Sequence, residues 1–116
     1  MHEMSLAEGI LQLVEETARR ERATQVKTIV VEIGQLSCVA PEALKFCFDS
    51  VSRGSMAEGA KLEIIDIAGS AYCSHCAAHV PMFERYDACP NCGKHPLQAI
   101  NGTEMRVREI EIASSA

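Results

Sequence analysis

The chain has 116 residues, a length typical of one domain, and 47% of them are hydrophobic, which excludes a wholly disordered protein. Its formal net charge of −5 argues against a nucleic-acid-binding protein that relies on a basic face. Six cysteines in so short a chain are the unusual feature of the composition.

The N-terminal sequence, MHEMSLAEGILQLVEETARR, decides how the cysteines are interpreted. It has neither the basic start nor the uninterrupted apolar stretch of a secretory signal. Nowhere does the chain approach the roughly 18 consecutive apolar residues of a membrane span. We therefore expect a cytoplasmic protein without a membrane partner, in which cysteines serve as metal ligands or buried thiols rather than as disulfides.

Hydrophobic periodicity predicts two helices. The first runs from about Ser5 to Arg22, because Ser5 and Glu8 form a capping box. Its apolar stripe consists of Leu6, Ile10, Leu13 and Val14. The second begins at Pro41, and its stripe of Leu44, Cys47, Phe48 and Val51 indicates that the Cys47 thiol is buried.

Three segments rich in β-branched residues predict strands, over residues 26–33, 61–67 and 104–112. The fold class is therefore α/β in the broad sense (α+β), with the two helices packed on a small three-stranded sheet. A cysteine-rich module, similar to a zinc ribbon, is inserted between the last two strands. We expect one domain over residues 1–70 plus 98–116 and the inserted metal-binding module over residues 71–97.

The cysteine pairs of the inserted module have the spacing of a metal site. Cys73 and Cys76 are separated by two residues, and so are Cys89 and Cys92. Four thiolates in this arrangement suit a tetrahedral ion, and zinc is favoured because it is redox-inert and accepts thiolate-only ligation. A rubredoxin-type iron site is the alternative, although the module offers few aromatic residues to shield a redox centre. Zinc bound by four thiolates adds negative charge, which makes binding to nucleic-acid phosphates less favourable still.

The remaining cysteine and histidine residues leave alternatives open. His79 and His95 each follow a cysteine pair at the same offset, and His75 lies inside the first pair. These histidines either replace a thiolate when conditions change or are simply exposed, and four thiolates already close the site. Cys38 lies in the loop after the first strand, where it is either a reactive thiol or a structural one.

The initial Met-His-Glu is a possible chelating sequence. The α-amine, the His2 amide nitrogen and the His2 imidazole can hold one ion in adjacent rings, and the Glu3 amide or carboxylate can supply a fourth donor. Nitrogen and oxygen donors in a plane suit Ni(II) or Cu(II). The alternative is an ordinary solvated terminus.

These features together resemble the HypA/HybF family of nickel metallochaperones in [NiFe]-hydrogenase maturation. The resemblance rests on the initial MHE, the helix and strand order, the segment CVAPEALKFCFDSVSRGS followed by GAKLEI, and the paired C-x2-C motifs. It implies that His2 binds nickel, with Glu3 as the acidic residue beside it. It also implies that Cys73, Cys76, Cys89 and Cys92 bind a structural zinc. Some members use an acidic side chain before the second helix as a further nickel ligand; Ala40 occupies that place here, and Glu42 is the nearest substitute.

The resemblance further implies that nickel is cargo and that the partners are a GTPase of the same pathway and the hydrogenase large subunit. The chain has no phosphate-binding loop, and four cysteines leave zinc no open position, so we expect a binding protein and not an enzyme. Two other functions stay open at this point, a zinc-ribbon interaction adaptor without transferable metal and a rubredoxin-like electron carrier. The oligomeric state (monomer or homodimer) and the nickel enzyme served (hydrogenase or also urease) are open as well.

Overall fold

The computed structural model describes residues 3–114 and has two helices and six strands within that range. In chain order these are α1 (Glu3–Arg20), β1 (Gln25–Gly34), α2 (Pro41–Val51), β2 (Lys61–Ile67), β3 (Ser70–Cys73), β4 (Ala78–Pro81), β5 (Gln98–Asn101) and β6 (Met105–Ala113). They form two three-stranded sheets, with strand orders β2-β1-β6 and β4-β3-β5. The predicted α+β class, with two helices and a three-stranded sheet of widely separated segments, is confirmed.

The second sheet was not predicted. It consists of strands of four residues each, and β3 pairs antiparallel with both β4 and β5. By its internal contacts the chain divides into two compact units, one of Met1–Val31, Val39–Ile64 and Val107–Ala116, the other of Glu32–Cys38 and Ile65–Arg106. The second unit contains the whole β4-β3-β5 sheet and the four clustered cysteines.

Helix α1 begins two residues before the predicted start and ends two residues before the predicted end. Arg22 has a left-handed backbone (φ 58°), and the N–H groups of Arg22 and Ala23 donate to the carbonyls of Arg19 and Ala18. This is the Schellman pattern that ends a helix. The buried face of α1 consists of Ala7, Ile10, Val14 and Ala18, and the predicted stripe residue Leu13 is instead 47% exposed.

Helix α2 packs against α1 within the first unit. Pro41 occupies its first turn, where a missing N–H costs nothing, and Leu44, Cys47 and Phe48 form its buried face. The prediction that the Cys47 thiol is buried is confirmed, since the residue is only 7% exposed.

A separate small core lies in the second unit. It joins Leu36 to buried residues of the β4-β3-β5 sheet and its loops, namely Ala71, Cys73, Val80, Met82 and Cys89. The Leu36 N–H donates to the carbonyl of Gly102. The backbone of Gly34 passes the same carbonyl so closely that a Cβ atom at position 34 would lie only 1.9 Å from its oxygen. Only glycine at position 34 permits this close backbone approach.

Candidate metal centre

The first cysteine pair is formed by the turn between β3 and β4. Cys73 is the last residue of β3 and faces Ala78, the first residue of β4, in the antiparallel register. Cys76 lies in the turn between them, which Ala77 closes with a left-handed backbone (φ 51°). The hairpin therefore brings both thiols to the same end of the sheet.

The second cysteine pair lies on a loop that is closed by its own backbone. The Cys89 N–H donates to the carbonyl of Lys94, and the Gly93 N–H donates to the carbonyl of Cys89, both at 2.8 Å. The Asn91 N–H points at the Cys89 sulfur at 3.4 Å. Hydrogen bonding from the backbone N–H of Cys92, assisted by that of Asn91, lowers the pKa of the Cys89 thiol to about 7. The loop thus favours a thiolate before any ion is considered.

The four sulfur atoms form one compact group. Their Sγ atoms all lie within 4.8 Å of one another, with Cys73 and Cys92 3.7 Å apart and Cys76 and Cys89 3.9 Å apart. A tetrahedral zinc ion with bonds of about 2.3 Å places its sulfurs about 3.8 Å apart, so this donor set fits zinc. Hydrogen bonding to the Cys92 side chain, reinforced by burial, raises the pKa of the Cys76 thiol to about 12. Full ionisation of the group therefore requires a bound cation.

The four cysteines differ in how far they are buried. Cys73 and Cys89 are only 2% exposed and belong to the small core of the second unit, whereas Cys92 is exposed. Of the three aromatic residues available to shield an iron site, Phe83 and Tyr86 are 70% and 95% exposed, and only Tyr72 is half-buried. A redox centre depends on a controlled apolar shell, so this environment favours zinc over iron.

None of the module's histidines joins the sulfur group among the described residues. His75, His79 and His95 are all exposed, and the His79 ring packs edge-on against Tyr72 with ring centroids 5.6 Å apart. Replacement of a thiolate by a histidine stays an untested prediction. Cys38 is also exposed, has a left-handed backbone (φ 64°), and is not a member of the four-sulfur group.

The predicted nickel residues are described only in part. His2 lies outside the described residues. Glu3 is the first residue of α1, is only 8% exposed, and accepts a hydrogen bond from the Ala40 N–H at 3.2 Å. Glu42 has a side chain that is 88% exposed and lies 3.7 Å from Lys45 in an ion pair. The contact of Glu3 with Ala40 was missed, although one signal was present: Ala40 precedes Pro41 at a helix start and has no side chain to cap it.

The fold and the thiol cluster define a small α+β protein whose four grouped thiols have the spacing that a tetrahedral zinc ion requires. Residues 1–112 match the family described as "Hydrogenase/urease nickel incorporation, metallochaperone, hypA". The chain belongs to this HypA family.

Curated relatives and solved structures agree with that assignment. The hydrogenase maturation factor HypA of Dechloromonas aromatica (strain RCB) is 64% identical over 112 residues, covering 97% of this chain and 99% of the relative. The same factor of Albidiferax ferrireducens (strain ATCC BAA-621 / DSM 15236 / T118) is 56% identical over the same coverage. The solution structure of the Ni metallochaperone HypA from Helicobacter pylori superimposes with a TM-score of 0.71 at 26% identity, covering 99% of this chain and 100% of that one. A second solution structure, of a HypA protein, gives a TM-score of 0.73 at 26% identity, with coverage of 99% and 98%.

Proposed function

We propose that this protein binds Ni(II) at its N-terminus and delivers it to the large subunit of a [NiFe]-hydrogenase during maturation. The observation that carries the proposal is the family match over residues 1–112, which includes the initial Met-His-Glu. The structural relative from Helicobacter pylori is itself described as a Ni metallochaperone. Family membership favours this function over the adaptor and the electron carrier.

The proposed nickel donors are the α-amine, the His2 amide nitrogen and the His2 imidazole, with a fourth donor from Glu3. Amide nitrogens bind a metal only after they lose a proton, so nickel affinity falls as the pH drops. A site of this kind holds its cargo in neutral solution and releases it when the ligands are reprotonated or exchanged. In this proposal the nickel-binding domain consists of residues 1–70 plus 98–116.

The zinc centre serves structure rather than transfer in this proposal. Cys73, Cys76, Cys89 and Cys92 would hold the ion, and four thiolates leave no open position for catalysis. Zinc supplies the positive charge that lets the thiols ionise together. The expected zinc module, residues 71–97, would depend on it for folding.

The partners in this proposal are a GTPase of the maturation pathway and the hydrogenase large subunit, within the cytoplasm. Among the described residues, no helix has the length and apolar character needed to cross a bilayer. Nucleic acid is not an expected partner, given the net charge of −5.

Transfer is tested with nickel-loaded, untagged protein and a nickel-free large-subunit precursor, separated after incubation and analysed for metal. Nickel should appear in the large subunit, and faster than from an equal amount of nickel bound to a chelator of matched affinity. Equal rates would contradict a delivery function. Nickel-free urease as a second acceptor shows which nickel enzyme is served.

A further inference from the structure

A surface cavity of about 450 Å³ lies within the second unit, and its volume is in the range of ligand pockets. Two of its lining residues, Leu36 and Met82, are buried members of the small core of that unit. The other apolar residues that line it are Pro96, Leu97 and Ala99. The cavity is therefore mainly apolar, and packed core side chains form part of its wall.

The cavity adjoins a free strand edge. β5 is an outer strand of the β4-β3-β5 sheet, and no strand pairs with its other side among the residues that the structure describes. All its residues are exposed, and its sequence QAIN has neither the charge nor the proline that commonly protects an edge from pairing. Ala99 of β5 lines the cavity, as does Leu97 just before the strand. A further strand beside β5 would therefore carry side chains over the cavity.

The charged lining of the cavity is basic. Arg85 and His95 line it and no acidic residue does, although the net charge of the chain is −5. The Arg85 side chain is held in place by its Nε–H, which donates to the carbonyl of Leu36 at 2.7 Å. Among the described residues Arg85 forms no ion pair. A guanidinium held in this way presents its terminal NH₂ groups to a carboxylate.

Tyr86 lines the cavity with a strained backbone. Its φ is 71°, in the left-handed region that residues other than glycine rarely adopt, and its side chain is 95% exposed. The turn is held by the Asp87 carboxylate, which accepts from the N–H groups of Phe83 and Glu84 at 3.0 Å each. Neither this strain nor the exposure of a large aromatic ring favours folding, and strained residues are concentrated at binding sites.

We propose that the cavity and the edge of β5 form a docking site for an extended, acidic segment of a protein partner. The segment pairs with β5 as an added strand and places a large apolar side chain in the cavity, against Tyr86. A carboxylate two residues away, on the same face of the added strand, binds Arg85 and His95. The docking site lies wholly within the second unit and does not depend on nickel binding.

Blocked seven-residue peptides test the docking site on the zinc-loaded, full-length protein by isothermal titration calorimetry. One probe has phenylalanine third, glutamate fifth and threonine elsewhere. A second exchanges the two, because parallel and antiparallel pairing place the carboxylate on opposite sides. At least one probe should bind, and changing its phenylalanine to alanine should weaken binding at least about tenfold. Changing its glutamate to glutamine should weaken binding about fivefold, and less in high salt. No binding of either probe at millimolar concentration would overturn the proposal.

Strand pairing is tested by methylating the nitrogens of the peptide that binds. Only alternate residues of a strand direct their N–H groups to one neighbour. Methylation of the second, fourth and sixth nitrogens and methylation of the third and fifth should therefore have unequal effects. We expect one set to abolish binding and the other to leave the affinity within about threefold. Equal effects would contradict pairing with β5.

Tyr86→Gly and Phe83→Ala are a matched pair of variants on the turn. Phe83 is also exposed, at 70%, but does not line the cavity. Tyr86→Gly should weaken peptide binding about tenfold without lowering the midpoint of thermal unfolding, because glycine relieves the left-handed backbone. Phe83→Ala should bind normally. Ala99→Glu, which brings a like charge to the cavity, should abolish binding. Normal binding by both Tyr86→Gly and Ala99→Glu would overturn the proposal.

A second copy of this chain is the competing occupant of the edge. Analytical ultracentrifugation without peptide should give the same sedimentation coefficient for the wild type and Ala99→Glu. A wild-type dimer that Ala99→Glu dissociates, and that the peptide binds only by dissociating, would assign the edge to the second copy and overturn the proposal. Failure of nickel transfer together with normal peptide binding would instead contradict the proposed function alone.

Discussion

At the scale of single residues, the four cysteines are not equivalent. The backbone N–H of Cys92 lowers the pKa of the Cys89 thiol to about 7, whereas hydrogen bonding to the Cys92 side chain raises that of Cys76 to about 12. Without a cation, the Cys76 proton therefore stays bound throughout the neutral range. The Cys89 proton is already half removed near neutrality.

This difference predicts a pH-dependent zinc affinity. Zinc must displace at least the Cys76 proton, so the apparent affinity should rise by at least about tenfold per pH unit above neutrality. Below about pH 7 the Cys89 proton must be displaced as well, which makes the dependence steeper there. Competition with a chelator of known pH behaviour measures the slope, and an affinity independent of pH would contradict the assignment.

Single residues also show why the sulfur cluster was predictable and the contact of Glu3 was not. Each C-x2-C pair is local in sequence, so its spacing alone indicates two converging thiols. Whether Glu3 reaches Ala40, 37 residues away, depends on how the two helices pack. The sequence offered only the indirect sign of an uncapped helix start before Pro41.

At the scale of elements, long segments were predicted and short ones were not. Helix α2 and strand β2 have clear periodicity or β-branched composition over 11 and 7 residues. Strands β3, β4 and β5 have four residues each, too few for alternation to stand out. Helix α1 was displaced by two residues at both ends, since the left-handed Arg22 that ends it carries no distinctive sequence signal.

Helix α2 offers a matched pair of phenylalanines for testing its buried face. Phe48 is 2% exposed and Phe46 is 67% exposed on the same helix. Phe48→Ala should lower the free energy of unfolding by about 3–5 kcal/mol, because it leaves a cavity in the core of the first unit. Phe46→Ala should change it by less than about 0.5 kcal/mol. Urea denaturation followed by circular dichroism measures both, and similar effects would show that the helix packs by a different face.

At the scale of the whole molecule, the two compact units rely on different interactions. The first unit has the helix face and β1 residues as its core, including Ile10, Val14, Ile29 and Phe48. The second has the small cluster around Leu36, and two of that cluster's buried members, Cys73 and Cys89, belong to the four-sulfur group. A core of this size is marginal without an additional constraint such as a bound metal.

Zinc removal should therefore affect the units unequally. After treatment with a strong chelator, we expect amide protons of β3–β5 to exchange freely while those in the interior of α1 stay protected. Hydrogen exchange followed by mass spectrometry resolves the two regions. Equal loss of protection in both would contradict separate stabilisation, and adding zinc back should restore the protection of β3–β5.

The most direct measurement is the metal content of untagged protein after equilibrium dialysis against Ni(II). Wild type and His2→Ala are compared, with zinc determined in the same samples. We predict about one nickel per chain in the wild type, none in His2→Ala, and about one zinc in both. Normal nickel binding by His2→Ala, or no nickel in the wild type, would contradict the N-terminal nickel site on which the proposed function depends.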